Sequence, residues 1–409
     1  MSPRPRKATL ALAAALAAAS AGTLGADGHD WRAERWTVEP FTQTLSGGPR
    51  YGPIEQSGWP PGVICESPDG ELFLAYRQQI DIVDRDGMRW RLAGDGIPGF
   101  RDGPAERARF RLGIGAHYGM HQPFCADDGS VLLPDSGNGR VRRLHKRDGR
   151  WWVETIAGGG RRRLRPGEEA PASNVRLGGT LAVAQARDGT IYIATPGALY
   201  ALREGKLRNM GGWPASVARK KGSPVRLNPV SGDVDGTGQV LFFSRTPDVV
   251  VAIGDDGRPR HVAGVTGWKR KPHHLGDGPP REAYFDTPGN GYADPRAAAA
   301  FVGGGDEYNF RRVPTDRRGT TATLMQDGRW HVLPKHPNHY RGAAVFRPAA
   351  GRNKKGLRVL MIGGPLGRDR SGALYARLKH WSGMTHFVEG RGLLTTRVFR
   401  IRRLEAGKR

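Results

Sequence analysis

Two sets of side chains in this chain have the types and spacing for chemistry. The first is histidine. His117-Tyr118-Gly119-Met120-His121 and His336-Pro337-Asn338-His339-Tyr340 each hold two imidazoles three or four residues apart. That spacing suits metal ligation, in which neutral ring nitrogens converge at about 2.0–2.1 Å. His117, His121 and His339 are the candidate ligands for a divalent metal, which would serve a hydrolase or a lyase. No Asp or Glu accompanies them in a fixed motif, so no cofactor is the default expectation. The second set is basic: Arg161-Arg162-Arg163-Leu164-Arg165, Lys220-Lys221, Lys269-Arg270-Lys271, and Arg101, Arg107 and Arg109. Clustered guanidinium and ammonium groups focus field on an anion. Arg161, Arg162, Arg163, Lys269, Arg270 and Arg341, with Tyr118 and Tyr340, are the candidate ligand-binding residues.

Other constellations fail on context. Gly94-Asp95-Gly96-Ile97-Pro98-Gly99 looks like a nucleotide-binding loop, but no helical pattern follows to supply free N–H groups to a phosphate. No serine sits in a nucleophile elbow, and neither cysteine has a local histidine. Asp135 and Asn138 read as turn-capping residues, since short polar side chains bond nearby backbone N–H groups.

The elements that must position these residues repeat. Val63–Tyr76, Phe124–Pro134, Ala182–Ala194 and Pro229–Phe243 each read as strand, Asp-Gly turn, strand, about Asp69-Gly70, Asp128-Gly129, Asp188-Gly189 and Asp235-Gly236. A second turn follows each, at Asp86-Gly87, Asp148-Gly149, Glu204-Gly205 and Asp256-Gly257. Such pairs favour hairpins because type I′ turns need positive φ, which Gly reaches without steric cost. Third strands (Gln79–Val83, Arg140–Leu144, Leu199–Leu202, Val249–Ile253) and fourth strands ending in Leu92-Ala93-Gly94, Ile156-Ala157-Gly158 and Val262-Ala263-Gly264 complete four strands per repeat.

The segment from Ala93-Gly94 through Asp102-Gly103 and Ala105 to Phe110, repeated from Ala263-Gly264 to Phe285, resembles the linker between NHL repeats. Asp135-Ser136-Gly137-Asn138-Gly139-Arg140-Val141-Arg142 is similar to the second hairpin of such a repeat. The resemblance covers Val63 to Phe285 and implies an all-β propeller of four-stranded blades, six in number with seven as the alternative. Beyond Phe285, strands at 292–303, 309–313, 320–325 and 330–333 supply a fifth blade, and 343–346, 357–362, 373–378 and 384–388 a sixth. Leu393–Leu404 is then free to pair with Trp36–Leu45 and so join the two ends of the chain.

Bulk properties set the compartment. With 60 Gly and 30 Pro in 409 residues, the chain suits many short strands and tight turns and excludes a helical bundle. Residues 1–21 read as a secretory signal: Arg4, Arg6 and Lys7, an apolar run from Ala8 to Ala19, and a small-residue cleavage site at Ala19-Ser20-Ala21. A leader over 22–35, a single propeller domain over 36–404 and a basic tail over 405–409 follow. The expected location is secreted or periplasmic, with no membrane span after cleavage and a monomeric state. In an oxidising compartment Cys65 and Cys125 are permitted to bridge. Both open innermost strands of neighbouring repeats, where small residues pack closely, and two buried thiols are the preferred reading.

The net charge of +25 favours polyanionic partners. In a four-stranded blade, the turns after the first and third strands lie on one face. The long links, with the charge clusters and histidines, lie on the other, and function is expected there. The chain therefore reads as a secreted binding protein for an anionic polymer or an envelope protein, with nucleic acid an improbable partner. A metal-dependent hydrolase or lyase at the channel mouth is the alternative, and a protein scaffold without a small ligand is the third reading.

Overall fold

A computed structural model describes residues 30–42, 49–56, 63–76, 78–112, 121–179, 182–218, 225–265, 277–283, 285, 291–303, 310–316, 318–324, 329–332, 362–378 and 398–404. About half of these residues lie in strands, nearly all antiparallel, in sheets of four or five strands and one of nine, and helix among them is limited to short 3-10 turns. Four meanders follow the repeats read in the sequence. The first runs Val63–Glu66, Leu72–Ala75, Ile80–Val83, Met88–Ala93; the second Phe124–Cys125, Val131–Asp135, Arg140–Arg147, Arg150–Gly158. The third is Ala182–Gln185, Ile191–Ala194, Leu199–Arg203, Lys206–Gly211; the fourth Pro229–Val234, Val240–Arg245, Asp248–Ile253, Pro259–Ala263. A fifth comprises Gly291–Ala293, Ala299–Gly303, Phe310–Pro314, Ala322–Leu324 and Trp330–His331.

The last meander corrects the sequence reading. Its innermost strand is Ile362–Arg368, followed by Leu374–Leu378, Val398–Arg403 and then, from the other end of the chain, Trp36–Thr42. Trp36 faces Arg403 and Val38 faces Ile401 in register, so the expected pairing of the chain ends is present. The Gly-rich stretch over 363–367 hid the inner strand from a propensity reading. The strands expected at 343–346 and 384–388 lie outside the described residues, as does the signal segment. Ile362–Arg368 also lies parallel to Val63–Glu66, which merges the last and first meanders into one nine-stranded sheet. Gly367 permits that approach, because a Cβ there would stand 2.2 Å from the Ile64 carbonyl oxygen.

The turns are of two kinds. Asp148-Gly149 and Glu204-Gly205 are two-residue loops with both φ values positive, as type I′ geometry requires. At Asp69-Gly70, Asp128-Gly129 and Asp188-Gly189 only the glycine has positive φ, and its N–H donates to the carbonyl three residues back (Ser67, Ala126, Ala186). In the fourth repeat the sequence reading misplaces the turn. The glycine N–H that donates to Asp235 O belongs to Gly238, so Asp235 opens the turn and does not precede its left-handed glycine.

Inner strands such as Leu72–Ala75 and Val131–Asp135 are buried throughout and lose the alternation of a one-sided sheet, because meanders pack face to face. Phe73, Ile80 and Ile82 of the first meander meet Val131, Leu133 and Leu144 of the second, and similar clusters join each meander to the next. Ile64 and Leu74 of the first pack with Tyr375 of the last. The links run along outer edges: Gly52–Pro53, Gly103–Pro104 and Glu169–Pro171 each pair with an outermost strand, where proline's missing N–H costs no ladder bond.

Candidate functional site

The basic link between the second and third meanders is built as a ribbon. Arg162 N–H donates to Asn174 O at 3.0 Å and Arg176 N–H to Arg162 O at 2.8 Å, which lays 160–163 alongside 174–176. Gly160 makes room for the contact, since a Cβ there would fall 2.0 Å from the Asn174 carbonyl carbon. Leu164, Val175 and Leu177 turn inward and anchor the ribbon in the core, and Asn209 Nδ2 donates to Leu164 O at 2.8 Å. Arg161, Arg162, Arg163, Arg165 and Arg176 are left exposed. Glu168 is the carboxylate at hand: it stands 3.9 Å from the Arg162 guanidinium and accepts from Arg165 N–H at 3.0 Å.

Of the other arginines named from the sequence, Arg107 is exposed, while Arg101 and Arg109 share one carboxylate. Arg109 Nε donates to Asp95 at 2.6 Å, and Arg101 lies 4.0 Å from the same carboxylate. Burial pulls the Asp95 carboxyl up, but the Arg109 hydrogen bond and charge outweigh it and hold the carboxyl below its ordinary range. Asp135 and Asn138 are structural, but they do not cap their own turn by bonding nearby backbone N–H groups as expected; they tie it to distant segments. The fully buried Asp135 carboxylate accepts from Arg111 N–H, Asn138 Nδ2 and Arg142 Nη1 at 2.8–2.9 Å, and Asn138 also donates to Gly99 O. Arg142, itself buried, reaches Asp102 at 2.5 Å and thereby ties the preceding link to the second meander. His121 is half-buried at the entry to the second inner strand. His117, Tyr118, Lys269, Arg270, His339, Tyr340 and Arg341 lie outside the described residues. Among the described residues no three His, Cys, Asp or Glu side chains converge as a metal site would require.

A cavity of about 310 Å³ lies at the opposite end of the inner strands, where they enter their turns. Strand ends from several meanders supply its walls: Glu66, Asp127, Gln185, Asp233 and Arg368, with Phe124 at the side. This is the end the sequence reading assigned to scaffold alone. Tight turns look closed in sequence, but the inner strands diverge enough to leave room between them.

Two straps cross the space between inner strands. Gln122 N–H, before the second inner strand, donates to Val230 O of the fourth at 3.2 Å. Arg368, on the last, reaches Asp233 of the fourth with Nε–Oδ2 at 2.7 Å and Nη2–Oδ1 at 2.6 Å. Asp233 also accepts from Ala293 N–H and Val234 N–H, each at 2.9 Å, so its carboxylate is saturated. Burial works against the Arg368 charge, yet Asp233 and its acidic neighbours outweigh it and raise the guanidinium pKa.

The remaining acids fall into two groups. Asp369 is tied to Arg400, Ser371 and Ala373 N–H, and Asp127 to Arg370 at 2.6 Å. Glu66 accepts from Arg370 N–H at 2.6 Å, and burial pushes its carboxyl above the ordinary range. Asp235 accepts from the Thr237 and Thr315 hydroxyls at 2.6 Å and has no ion pair among the described residues, and burial raises it as well. Gln122 is 4% exposed, and its Oε1 has no hydrogen-bond partner among the described residues.

The wall of this cavity includes a disulfide. Cys65 and Cys125 are bonded, with Cα atoms 5.7 Å apart, which overturns the reading of two buried thiols. The packing that brings neighbouring inner strands together also brings these two residues within bridging distance. Gln122, Glu66, Asp233 and Arg368 were not singled out by sequence reasoning. The available signal was positional: polar side chains just before or at the end of the innermost strands.

No protein-family model and no curated protein matches the sequence. Solved structures do resemble the fold. An auxiliary nutrient binding protein from Bacteroides thetaiotaomicron superposes with a TM-score of 0.55 at 12% identity, covering 91% of this chain and 77% of that one. A protein of the same description from Bacteroides ovatus gives 0.51 at 13%, covering 91% and 78%. A Bacteroides thetaiotaomicron protein of unknown function gives 0.51 at 12%, covering 90% and 76%. The architecture is therefore β-propeller-like.

Proposed function

We propose that this chain is an exported binding protein. Its meanders form a six-bladed NHL-type ring closed by the paired chain ends, and its basic link face holds an anionic partner such as an acidic envelope polysaccharide or protein. The observation that carries this reading is the 160–176 ribbon, which presents five exposed arginines against two carboxylates, Glu168 and Glu169, the second of which faces Lys206, on a frame anchored by buried leucine and valine. A cluster with a surplus of cations on a rigid frame exerts a field that scattered, ion-paired arginines such as Arg109 do not. A binding role is in keeping with the names of the two auxiliary nutrient binding proteins, although identities of 12–13% carry over the fold and not the ligand.

Retention on a sulfated glycan over a salt gradient tests the reading. Wild type should elute late, with affinity falling steeply as salt screens the charges. Arg161→Glu with Arg163→Glu should weaken binding by at least roughly tenfold. Arg85→Glu with Arg203→Glu changes net charge equally but on the turn face, and should leave retention near wild type. Equal losses in both pairs would show that bulk charge, not the ribbon, binds.

A further inference from the structure

The basic ribbon has an apolar neighbour. The links after the first and second meanders are built alike: each leaves its outer strand through Ala-Gly (Ala93-Gly94, Ala157-Gly158), folds back on itself at a bridge (Arg101 with Arg109, Arg162 with Val175), and carries a 3-10 turn after a proline (Ala105–Arg107, Ala172–Asn174). In that shared frame Ile97 holds the place of Arg161, each being the third residue after the Ala-Gly pair. Ile97 and Phe100 are the two most exposed large apolar side chains among the described residues, at 50% and 46%. Gly96 beside them faces open space, since a Cβ there would meet nothing within 4 Å, so this tip projects. It is also fixed: Asn138 Nδ2 donates to Gly99 O and Arg142 Nη2 to Arg101 O, both at 2.8 Å, which pins the backbone on each side of Phe100. Arg140 joins the tip to the ribbon. Its guanidinium carbon lies 4.0 Å from the Phe100 ring centroid, and the same group lies against Gly159, where a Cβ would stand 2.5 Å from Arg140 Nε.

From this juxtaposition we infer that the link face docks the protein on an anionic lipid surface, with Ile97 and Phe100 entering the interface and the ribbon arginines meeting the head groups. The inference rests on the ribbon being an anion-binding surface. Its five arginines against Glu168 and Glu169 leave three positive charges in surplus, the sign that anionic lipids attract. A glycan would use those arginines but leave the branched, aliphatic Ile97 in water. A peptide partner would seat its own anchor side chain in a pocket, whereas here the apolar residues form the projection. Corresponding positions of neighbouring blades stand at one level along the ring axis, so a flat partner meets tip and ribbon together. Apolar side chains flanked by surplus cations are the composition of segments that lie in a membrane interface.

The test is co-sedimentation of the full chain with vesicles of phosphatidylcholine alone and of an equimolar mixture with phosphatidylglycerol. Residues 1–21 are common to every variant, so differences between variants report the link face. Wild type should bind the anionic vesicles at least roughly tenfold more tightly than the neutral ones at low salt. Ile97→Ser with Phe100→Ser should weaken binding to anionic vesicles about tenfold, the loss of two apolar side chains from the interface, yet leave retention on the sulfated glycan unchanged. Ile97→Ser alone leaves the ring beside Arg140 intact, guards against a folding defect, and should weaken vesicle binding about threefold. Arg161→Glu with Arg163→Glu should lower both vesicle binding and glycan retention. Equal binding to the two kinds of vesicle, or undiminished binding of both serine variants, would overturn the inference. Glycan retention without vesicle binding would overturn it while leaving the ribbon reading in place; glycan retention that the arginine pair does not change would sink the ribbon reading itself.

Discussion

Breaking the bridge between Cys65 and Cys125 should lower stability by about 4 kcal/mol. The two residues are 60 positions apart, and in the chain-entropy relation a loop of that length loses about 14 cal/mol/K in the unfolded state, or about 4 kcal/mol at 25 °C. The perturbation is Cys65→Ala with Cys125→Ala, compared with wild type in the presence and absence of a thiol reductant. With a urea slope of about 3 kcal/mol/M, the midpoint should fall by about 1.3 M in the double variant and in reduced wild type alike. The variant itself should be indifferent to reductant. Titration of thiols in denatured, unreduced wild type should find none. Two free thiols, or a midpoint that reductant does not move, would refute the bridge. A variant as stable as oxidised wild type would refute the entropic reasoning while leaving the bridge in place.

Burial raises the Asp235 carboxyl above its ordinary 3.8, so the folded protein holds that proton more tightly than the unfolded chain. The resulting stability is complete below 3.8 and is lost as pH rises through the folded value. The unfolding free energy of wild type relative to Asp235→Asn should therefore fall as pH increases over that window, and a difference that stays flat or rises would show that burial does not govern this group. Gly367→Ala would press a methyl against Ile64 O and should cost about 1–3 kcal/mol in thermal unfolding. Gly197→Ala, which meets nothing within 4 Å, should stay within about 0.5 kcal/mol of wild type. Equal midpoints for the two variants would mean that the first and last inner strands do not approach as closely as described.

Much of the fold was legible because its causes are local. Asp-Gly and Glu-Gly pairs in phase define most of the hairpins, and the branched strands between them define four meanders whose strand boundaries agree with the structure within about three residues. The pairing of Trp36–Thr42 with Val398–Arg403 was also readable, since a leftover strand at each end of a repeat protein needs a partner. Asp135 and Asn138 were read as structural from their types alone, and the ribbon arginines stood out by composition.

What the tertiary structure decided is everything set by the packing of one meander on another. Strand-end residues far apart in the chain, such as Asp233 and Arg368, meet only after the intervening meander has been placed, and no spacing rule encodes that distance. The cysteines bridge for the same reason: inter-strand distance depends on the twist and stacking of whole sheets. The sequence located the concentrated charge. The structure located the cavity, and put it at the other end of the same strands.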